Sequence, residues 1–406
     1  MNNLLKNTVW MSLSHLLSRG GLVVCGILIS KYFNAIEFAN YSYLILTVTT
    51  VAIYSAVGIG VTTTKFYANL KNDNDSPIIL LGIISFVYAI IGSLIFLNFS
   101  HLIIPSSITV NFAVLGFIIL FMAIDIYASN GLIGLEKYKN LFYGSFAALS
   151  INVIAVFYSI FKTDIYYAFL GLLLSIAIQT LLNFLFLFKS IRKDKFIDNL
   201  IFKRSHFSKI GRTVGPMVLV SLFAASGTWI VGKSIISHSI NGLNDFATFS
   251  IGLQWYSLAL FIPTMLSKVL LPALIKGDLT KNTLKYNCLG IMLFCIFLAY
   301  FSYLIYPFIV DFYGLNYSIT SFYIPAFFII AGLNACCNIL GNKIISSNKE
   351  LIWFWIVFLS FLTLNICCIL FDGLGANLAI LALGLSNVSM ILMIFIYFII
   401  EKKNHQ

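Results

Sequence analysis

Apolar residues fill this chain in blocks of about twenty, and polar residues are concentrated in the short intervals between blocks. The blocks run over 8–30, 40–62, 78–98, 110–132, 141–161, 166–188, 213–235, 246–273, 287–309, 320–342, 351–371 and 376–399. At the α-helical rise each is long enough to cross about 30 Å of hydrocarbon. Lipid offers the backbone no hydrogen-bond partner, so a segment inside it must satisfy its own amides, and a helix does that. The pattern predicts an all-α integral membrane protein with about twelve transmembrane helices.

Composition agrees. Of 406 residues 60% are hydrophobic and 10% charged, against about 25% charged in a soluble domain. The net charge of +11 invites a nucleic-acid reading until the charges are placed. If loops alternate between the two faces, 20 of the 25 Lys and Arg fall on the face of the N-terminus, and only Lys31, Lys162 and Lys233 on the other. The positive-inside rule then puts both termini in the cytoplasm and explains the basic balance without nucleic acid. The start, Met1 to Lys6, runs straight into the first block with no small-residue cleavage site, so no cleavable signal is expected. The seven cysteines, Cys25, Cys288, Cys295, Cys336, Cys337, Cys367 and Cys368, all lie within or at the edge of apolar blocks and read as small packing residues, not disulfides or metal ligands.

The chain repeats itself at about half its length. Glu37-Phe-Ala-Asn-Tyr-Ser42 opens the second block and Asp245-Phe-Ala-Thr-Phe-Ser250 the eighth, each after an Asn (Asn34, Asn241), with the acid placed to cap a helix N-terminus. Six blocks per half predict parallel repeats: a bundle over 1–188, a basic linker over 189–212 and a second bundle over 213–406. The linker interleaves eight Lys and Arg with apolar residues. It reads either as an interfacial helix on an anionic leaflet or as a solvated connection.

Charge inside hydrocarbon costs several kcal/mol, so an in-span charge usually faces a protein interior or a wet cavity. Arg19 sits in mid-span, on the face of the first block that also carries Ser12 and His15. The eighth block carries a second stripe, Gln254, Ser257, Thr264 and Lys268. Asp125 is the acid inside the fourth block, and Lys233 ends the seventh and reads as snorkelling. Arg19 has a purely structural alternative as an ion-pair partner of Asp125, Lys268 as a snorkelling lysine, and His15 as a hydrogen-bonded packing residue. If the halves face each other, the two stripes line a positive, hydroxyl-rich central cavity suited to an anionic cargo. Pro216, Pro263 and Pro325 fall inside blocks and predict kinks.

Gly227-Thr-Trp-Ile-Val-Gly-Lys-Ser234 matches the phosphate-loop pattern but lies at the end of a membrane block, without the strand and helix that the pattern needs. No HExxH, no GxSxG and no clustered carboxylates outside the blocks are present, so no catalytic, cofactor or metal site is expected and the chain reads as a non-enzyme.

Twelve blocks in two halves, the basic middle linker, Arg19, the Glu37–Tyr41 opening, Asn130-Gly-Leu-Ile-Gly-Leu-Glu-Lys-Tyr138 and Phe261-Ile-Pro-Thr-Met-Leu-Ser-Lys-Val-Leu-Leu-Pro272 together resemble the O-antigen (polysaccharide-lipid) flippases. These belong to the multidrug/oligosaccharidyl-lipid/polysaccharide exporter superfamily, and the resemblance spans essentially the whole chain. It implies two six-helix bundles around a central cavity in a bacterial inner membrane. The implied cargo is an undecaprenyl-pyrophosphate oligosaccharide moved to the periplasmic leaflet for lipopolysaccharide or other surface polysaccharide, with the polymerase machinery as a further partner. Arg19 and Lys268 would hold the pyrophosphate, with Ser12, His15, Gln254, Ser257 and Thr264 around it, and Asp125 or His15 would carry a coupling proton. A multidrug antiporter of the same superfamily shares the architecture but favours acidic cavities. A multi-pass polymerase or glycosyltransferase would usually show a larger outer loop than the roughly dozen-residue loops here.

Overall fold

The computed structural model describes all residues except 1, 57–58, 71–76, 105–110, 194–204, 277–280, 314–319 and 405–406. Within helices, the side chains of 2–6, 8, 19, 102, 193, 205–210, 212–213, 268–269, 272–273, 275–276, 281–282 and 402–404 are likewise outside the description. The first apolar block is one continuous helical rod in three parts: α1 (Asn2–His15), a π-helical turn (Leu16–Gly20) and α2 (Gly21–Tyr32). There follow α3 (Ala35–Ser55), α4 (Ile59–Ala68), α5 (Ile78–Ile103), α6 (Phe112–Gly134), α7 (Tyr138–Lys162) and α8 (Tyr166–Lys193). The rest comprises α9 (Ser205–His238), α10 (Gly242–Ala259), α11 (Phe261–Lys276), α12 (Lys281–Leu304), α13 (Tyr306–Tyr313), α14 (Tyr323–Ser346), α15 (Glu350–Leu370) and α16 (Asn377–Asn404). Among the described residues no strand occurs. Eleven helices are long and apolar enough to cross a membrane, and twelve if the bent α10–α11 pair is one span. The basic linker is mostly outside the described residues.

Breaks and prolines refine the expected blocks. The second block was read as unbroken to residue 62. Instead α3 ends at Ser55 and α4 restarts at Ile59, carrying helix into what was read as a loop. Gly58 and Gly60 supply the weak point in the sequence. The eighth block bends by 48° between α10 and α11. Pro263 has no N–H for the Ala259 carbonyl and its ring crowds that turn, which puts the break near Leu260. Pro325, by contrast, falls in the first turn of α14, where its missing N–H costs nothing, and Pro216 lies inside α9.

The chain divides into two compact units, residues 1–33 with 43–222, and residues 34–42 with 223–406. In the first, α7 packs along α8, α8 along α6, α6 against α4 and α5, and the α1–α2 rod along α7. The Asn130–Tyr138 motif has a packing explanation here. Thr64 Oγ donates to the Asn130 carbonyl and side-chain oxygen, both at 3.2 Å. The space where Gly134 would carry a Cβ is filled by Tyr67 and by the Thr64 carbonyl, so α4 lies close against α6. Glu136 turns the chain at φ 58°.

In the second unit α14 is the hub, touching α10, α11, α12, α15 and α16. Its small residues allow this closeness: Gly332 faces Cys295 of α12, and Gly341 faces the Trp353 ring of α15. The Lys349 ammonium, between α14 and α15, donates to Glu401 Oε1 of α16 at 2.6 Å, and Tyr397 OH donates to the same oxygen at 2.9 Å. The hydrogen bond to Glu401, then that to Tyr397, raises the Lys349 pKa above the ordinary lysine value. A raised lysine contributes stability below its unfolded pKa and loses it as pH climbs through the raised value, so this tie is intact at neutral pH.

The two repeated openings use their acids differently. Asn34 Oδ1 accepts the Glu37 N–H at 2.8 Å while Glu37 Oε2 accepts the Asn34 N–H at 3.2 Å, a reciprocal capping box. Asn241 makes no side-chain cap. Asp245 instead accepts from Ser239 Oγ and lies where a Cβ on Gly375, itself at φ 56°, would collide with it. Replacing Asn34 by Ala is therefore expected to cost about 1 kcal/mol, seen as a lower midpoint of thermal unfolding in detergent. Asn241→Ala should leave that midpoint unchanged.

Candidate functional site

The candidate residues lie in both units, and each unit is built differently. In the first, Ser12 and His15 occupy the last turn of α1 and share its face, with Ser12 half-buried and His15 buried. The adjacent Ser14 hydroxyl is 3.0 Å from that of Ser145, which pins α1 to α7. The π-turn begins at the next residue and contains Arg19 in its backbone. A π-turn closes its hydrogen bonds one residue later than an α-turn. Residues after His15 are therefore rotated relative to the unbroken helix from which the shared face of 12, 15 and 19 was read. The Arg19 side chain lies outside the described residues.

Asp125, half-buried on α6, accepts a hydrogen bond from Asn183 Nδ2 of α8 at 2.8 Å. Asn183 is fully buried, and its Oδ1 has no hydrogen-bond partner among the described residues. That oxygen is aimed at Gly144 of α7, where a Cβ would come within 2.7 Å. One turn earlier on α8, Thr180 Oγ donates to the Phe121 carbonyl of α6 at 3.1 Å. A carboxylate is thus held where three helices meet, by a buried carboxamide. Asn183 reads from sequence as interhelical glue. Its tie to an acid 58 residues away leaves no linear trace, so the acid's partner was not legible.

In the second unit the polar stripe is split by the bend. Gln254 and Ser257 stay on α10, while Thr264 and Lys268 fall on α11. The Thr264 hydroxyl donates to the Leu260 and Phe261 carbonyls, at 2.7 and 3.1 Å. It serves its own backbone at the break. Gln254 Oε1 accepts from Tyr313 OH, at the end of the short helix α13, at 3.0 Å. Asn342 Nδ2 of α14 donates to the Ser267 carbonyl and hydroxyl, at 2.9 and 2.7 Å, fastening α11 beside Lys268. The Lys268 side chain lies outside the described residues. Ser257 is half-buried. Tyr313 and Asn342 were missed because hydrogen-bonding partners at these separations follow no sequence period. Lys233, at the end of α9, holds its ammonium 5.3 Å from the Trp229 ring centroid, and the phosphate-loop look-alike around it is helix.

Among the described residues no group of three or more His, Cys, Asp or Glu could hold a metal ion. Among the described residues the arrangement offers carboxamides, hydroxyls and the Asp125 carboxylate on helices.

No protein-family profile and no curated protein sequence matches this chain. Solved structures do. The Vibrio cholerae MATE transporter VcmN, as a point mutant, aligns with a TM-score of 0.75 at 14% identity over 97% of this chain and 95% of that one. A transporter of the MOP superfamily from Pyrococcus furiosus, described by the reverse polarity of its binding pocket, aligns at 0.74 and 14% over 97% and 94%. A multidrug-resistance MATE transporter in an outward-facing conformation gives 0.74 and 12% over 97% and 94%. The chain has the fold of the MATE transporters.

Removing the carboxamide that holds Asp125 should be costly. Asn183→Leu is expected to destabilise the protein by about 1.5–3 kcal/mol, the range for a hydrogen bond to a charged group, and by clearly less in an Asp125→Asn background. Unfolding midpoints of the two single variants and the double variant measure that coupling.

Proposed function

We propose that this protein is a lipid-linked oligosaccharide flippase, moving an undecaprenyl-pyrophosphate oligosaccharide from the cytoplasmic to the periplasmic leaflet of a bacterial inner membrane, with both termini cytoplasmic. The observation that carries the reading is the sign of the charge within the spans. The polar stripes of the first and eighth blocks carry Arg19 and Lys268, whereas the acid within the fourth, Asp125, is engaged by Asn183 inside its own bundle. A transporter of the same fold is described as having a pocket of reverse polarity suggesting a different function, which lends support to an anionic cargo on this scaffold.

The physical need is plain. Each sugar hydroxyl taken into hydrocarbon unpaired costs several kcal/mol, so the head requires polar side chains along its route while the polyprenyl tail remains in lipid. Arg19 and Lys268 hold the pyrophosphate through charge-assisted bonds. Ser12, His15, Gln254, Ser257 and Thr264 supply the polar surroundings. The membrane potential contributes roughly 2.3 kcal/mol per charge per 100 mV to expelling an anion from a negative interior. Asp125 or His15 would carry a coupling proton. The polysaccharide polymerase machinery is the partner that would consume the product.

The second reading, a cation-coupled multidrug antiporter, is favoured by the shared fold, since one matching structure is a multidrug-resistance transporter. The test replaces Arg19 by Ala and by Lys, with membrane levels matched by immunoblot and surface polysaccharide measured. Loss of one charge-assisted bond to the pyrophosphate, about 1.5–3 kcal/mol, predicts that Arg19→Ala lowers export roughly ten- to a hundredfold, with partial recovery in Arg19→Lys. Unchanged polysaccharide from the Ala variant removes Arg19 from the mechanism. Drug tolerance conferred by overexpression and abolished by Asp125→Asn would favour the antiporter.

A further inference from the structure

We infer that Cys288 and Cys336 form an oxidisable dithiol whose closure to a disulfide staples α12 to α14. Four thiols gather where these helices pack: Cys288 and Cys295 on α12, Cys336 and Cys337 on α14. Only one pair among them is matched. The Cys336 thiol donates to the Cys288 carbonyl at 3.5 Å. The Cys336 sulfur thus lies against the backbone of the residue that carries the other thiol, and closure needs the two Cα atoms about 4.4–6.8 Å apart.

The antiparallel register explains why the other thiols have no such partner. Two turns along α12, Cys295 stands opposite Gly332 of α14, which has no side chain; a Cβ there would meet Cys295 Cβ and Sγ at 3.0 and 3.3 Å. Cys337 points the other way, its thiol towards the Asn387 carbonyl of α16 at 3.9 Å. Access is asymmetric as well. Cys288 is half-buried, next to the exposed residues Tyr286 and Leu289, while Cys336 is buried behind it. That is the arrangement of an attacking thiol backed by a resolving one.

The oxidant is a lipid-soluble organic hydroperoxide. The Cys288 thiol, losing its proton, attacks the terminal peroxide oxygen; the O–O bond breaks, the alcohol leaves and a sulfenic acid remains. The Cys336 sulfur then attacks the Cys288 sulfur, displacing water and forming the S–S bond. Two thiols and one hydroperoxide become one disulfide, one alcohol and one water. The two helices close against α11, since Leu270 and Leu274 of α11 share an apolar cluster with Leu284, Ile291, Cys336 and Ile339. A staple here therefore fixes the packing directly behind the helix that carries Lys268.

The experiment uses the full-length protein in native membranes, so that it does not depend on the transport reading. Membranes are treated with cumene hydroperoxide, free thiols are blocked with N-ethylmaleimide, and the protein is digested with chymotrypsin for mass spectrometry. The expected result is a cross-linked peptide pair containing Cys288 and Cys336, lighter than the sum of its parts by two hydrogens, with two fewer alkylated thiols per chain. Dithiothreitol should reverse it. Cys288→Ser and Cys336→Ser should abolish it, and Cys295→Ser should retain it. Independent alkylation of both residues after oxidation, pairing of Cys336 with Cys295 or Cys337, or over-oxidation of Cys288 without a cross-link would each overturn the inference.

Discussion

A peptide group inside hydrocarbon has nowhere to turn but to its own chain, and the course of every helix in this protein follows from that. Where the helical ladder is intact the requirement is met automatically. Where it is interrupted, nearby polar groups accept or donate in its place. At the break before α11, the Leu260 and Phe261 carbonyls both receive the Thr264 hydroxyl. Where α3 ends, the Ile59 N–H reaches back to the Ala56 carbonyl at 3.0 Å and the Ser55 hydroxyl to the Val51 carbonyl at 2.8 Å. At the end of α7, Thr163 turns left-handed, the Asp164 N–H donates to the Ser159 carbonyl at 3.1 Å, and the Ser159 hydroxyl donates to the Asp164 carbonyl at 2.7 Å. Many of the in-span serines and threonines are therefore repairs to the backbone, their donor committed and only their lone pairs left for a cargo.

The same accounting separates interior carboxamides that bind helices together from those with capacity to spare. Asn334 donates to Asn387 at 3.1 Å and accepts from Asn338 at 2.8 Å, while Asn387 donates to the Leu383 carbonyl at 2.7 Å. That chain ties α14 to α16. Bonds of this kind are individually worth about 0.6–2 kcal/mol in a membrane, so they fix register more than they supply stability. Asn183 differs. It is fully buried, its partner is a carboxylate, and its one side-chain oxygen is left over among the described residues. A leftover acceptor at zero exposure is expensive, and it sits beside the acid of the fourth block.

How much of this could be read in advance depends on the range of the interaction. The spans were legible because their cause, transfer of twenty consecutive residues from water to lipid, is written in consecutive residues. The interruptions were less so. Pro263 announced a kink and gave one, whereas Pro325 sits in a first turn and does not interrupt its helix. The π-turn at Leu16–Gly20 has no residue of its own that demands it. The matched openings at Glu37 and Asp245 look equivalent in sequence yet bond differently, because the longer Glu reaches back to the Asn34 amide while Asp245 meets Ser239. Arg19, Lys268 and Asp125 stood out since charge in an apolar run is rare. Asn183 was legible as a tie between helices but its partner was not, and Tyr313 and Asn342 did not stand out at all, since a partner 58 to 75 residues away on another helix leaves no periodic mark.

The two cationic stripes share one property. Arg19 lies within the π-turn of the first span, and Lys268 lies two turns beyond the proline break of the eighth. In both cases the helix with the most expensive side chain is also the helix whose hydrogen-bond ladder departs from the α pattern. An irregular turn leaves backbone dipoles incompletely paired and draws polar side chains to itself, as Thr264 shows. Non-helical backbone at membrane depth is tolerated only where protein or water can satisfy it, and a charge at that depth carries the same requirement. Placing both in one stretch of chain meets the two demands with a single polar environment.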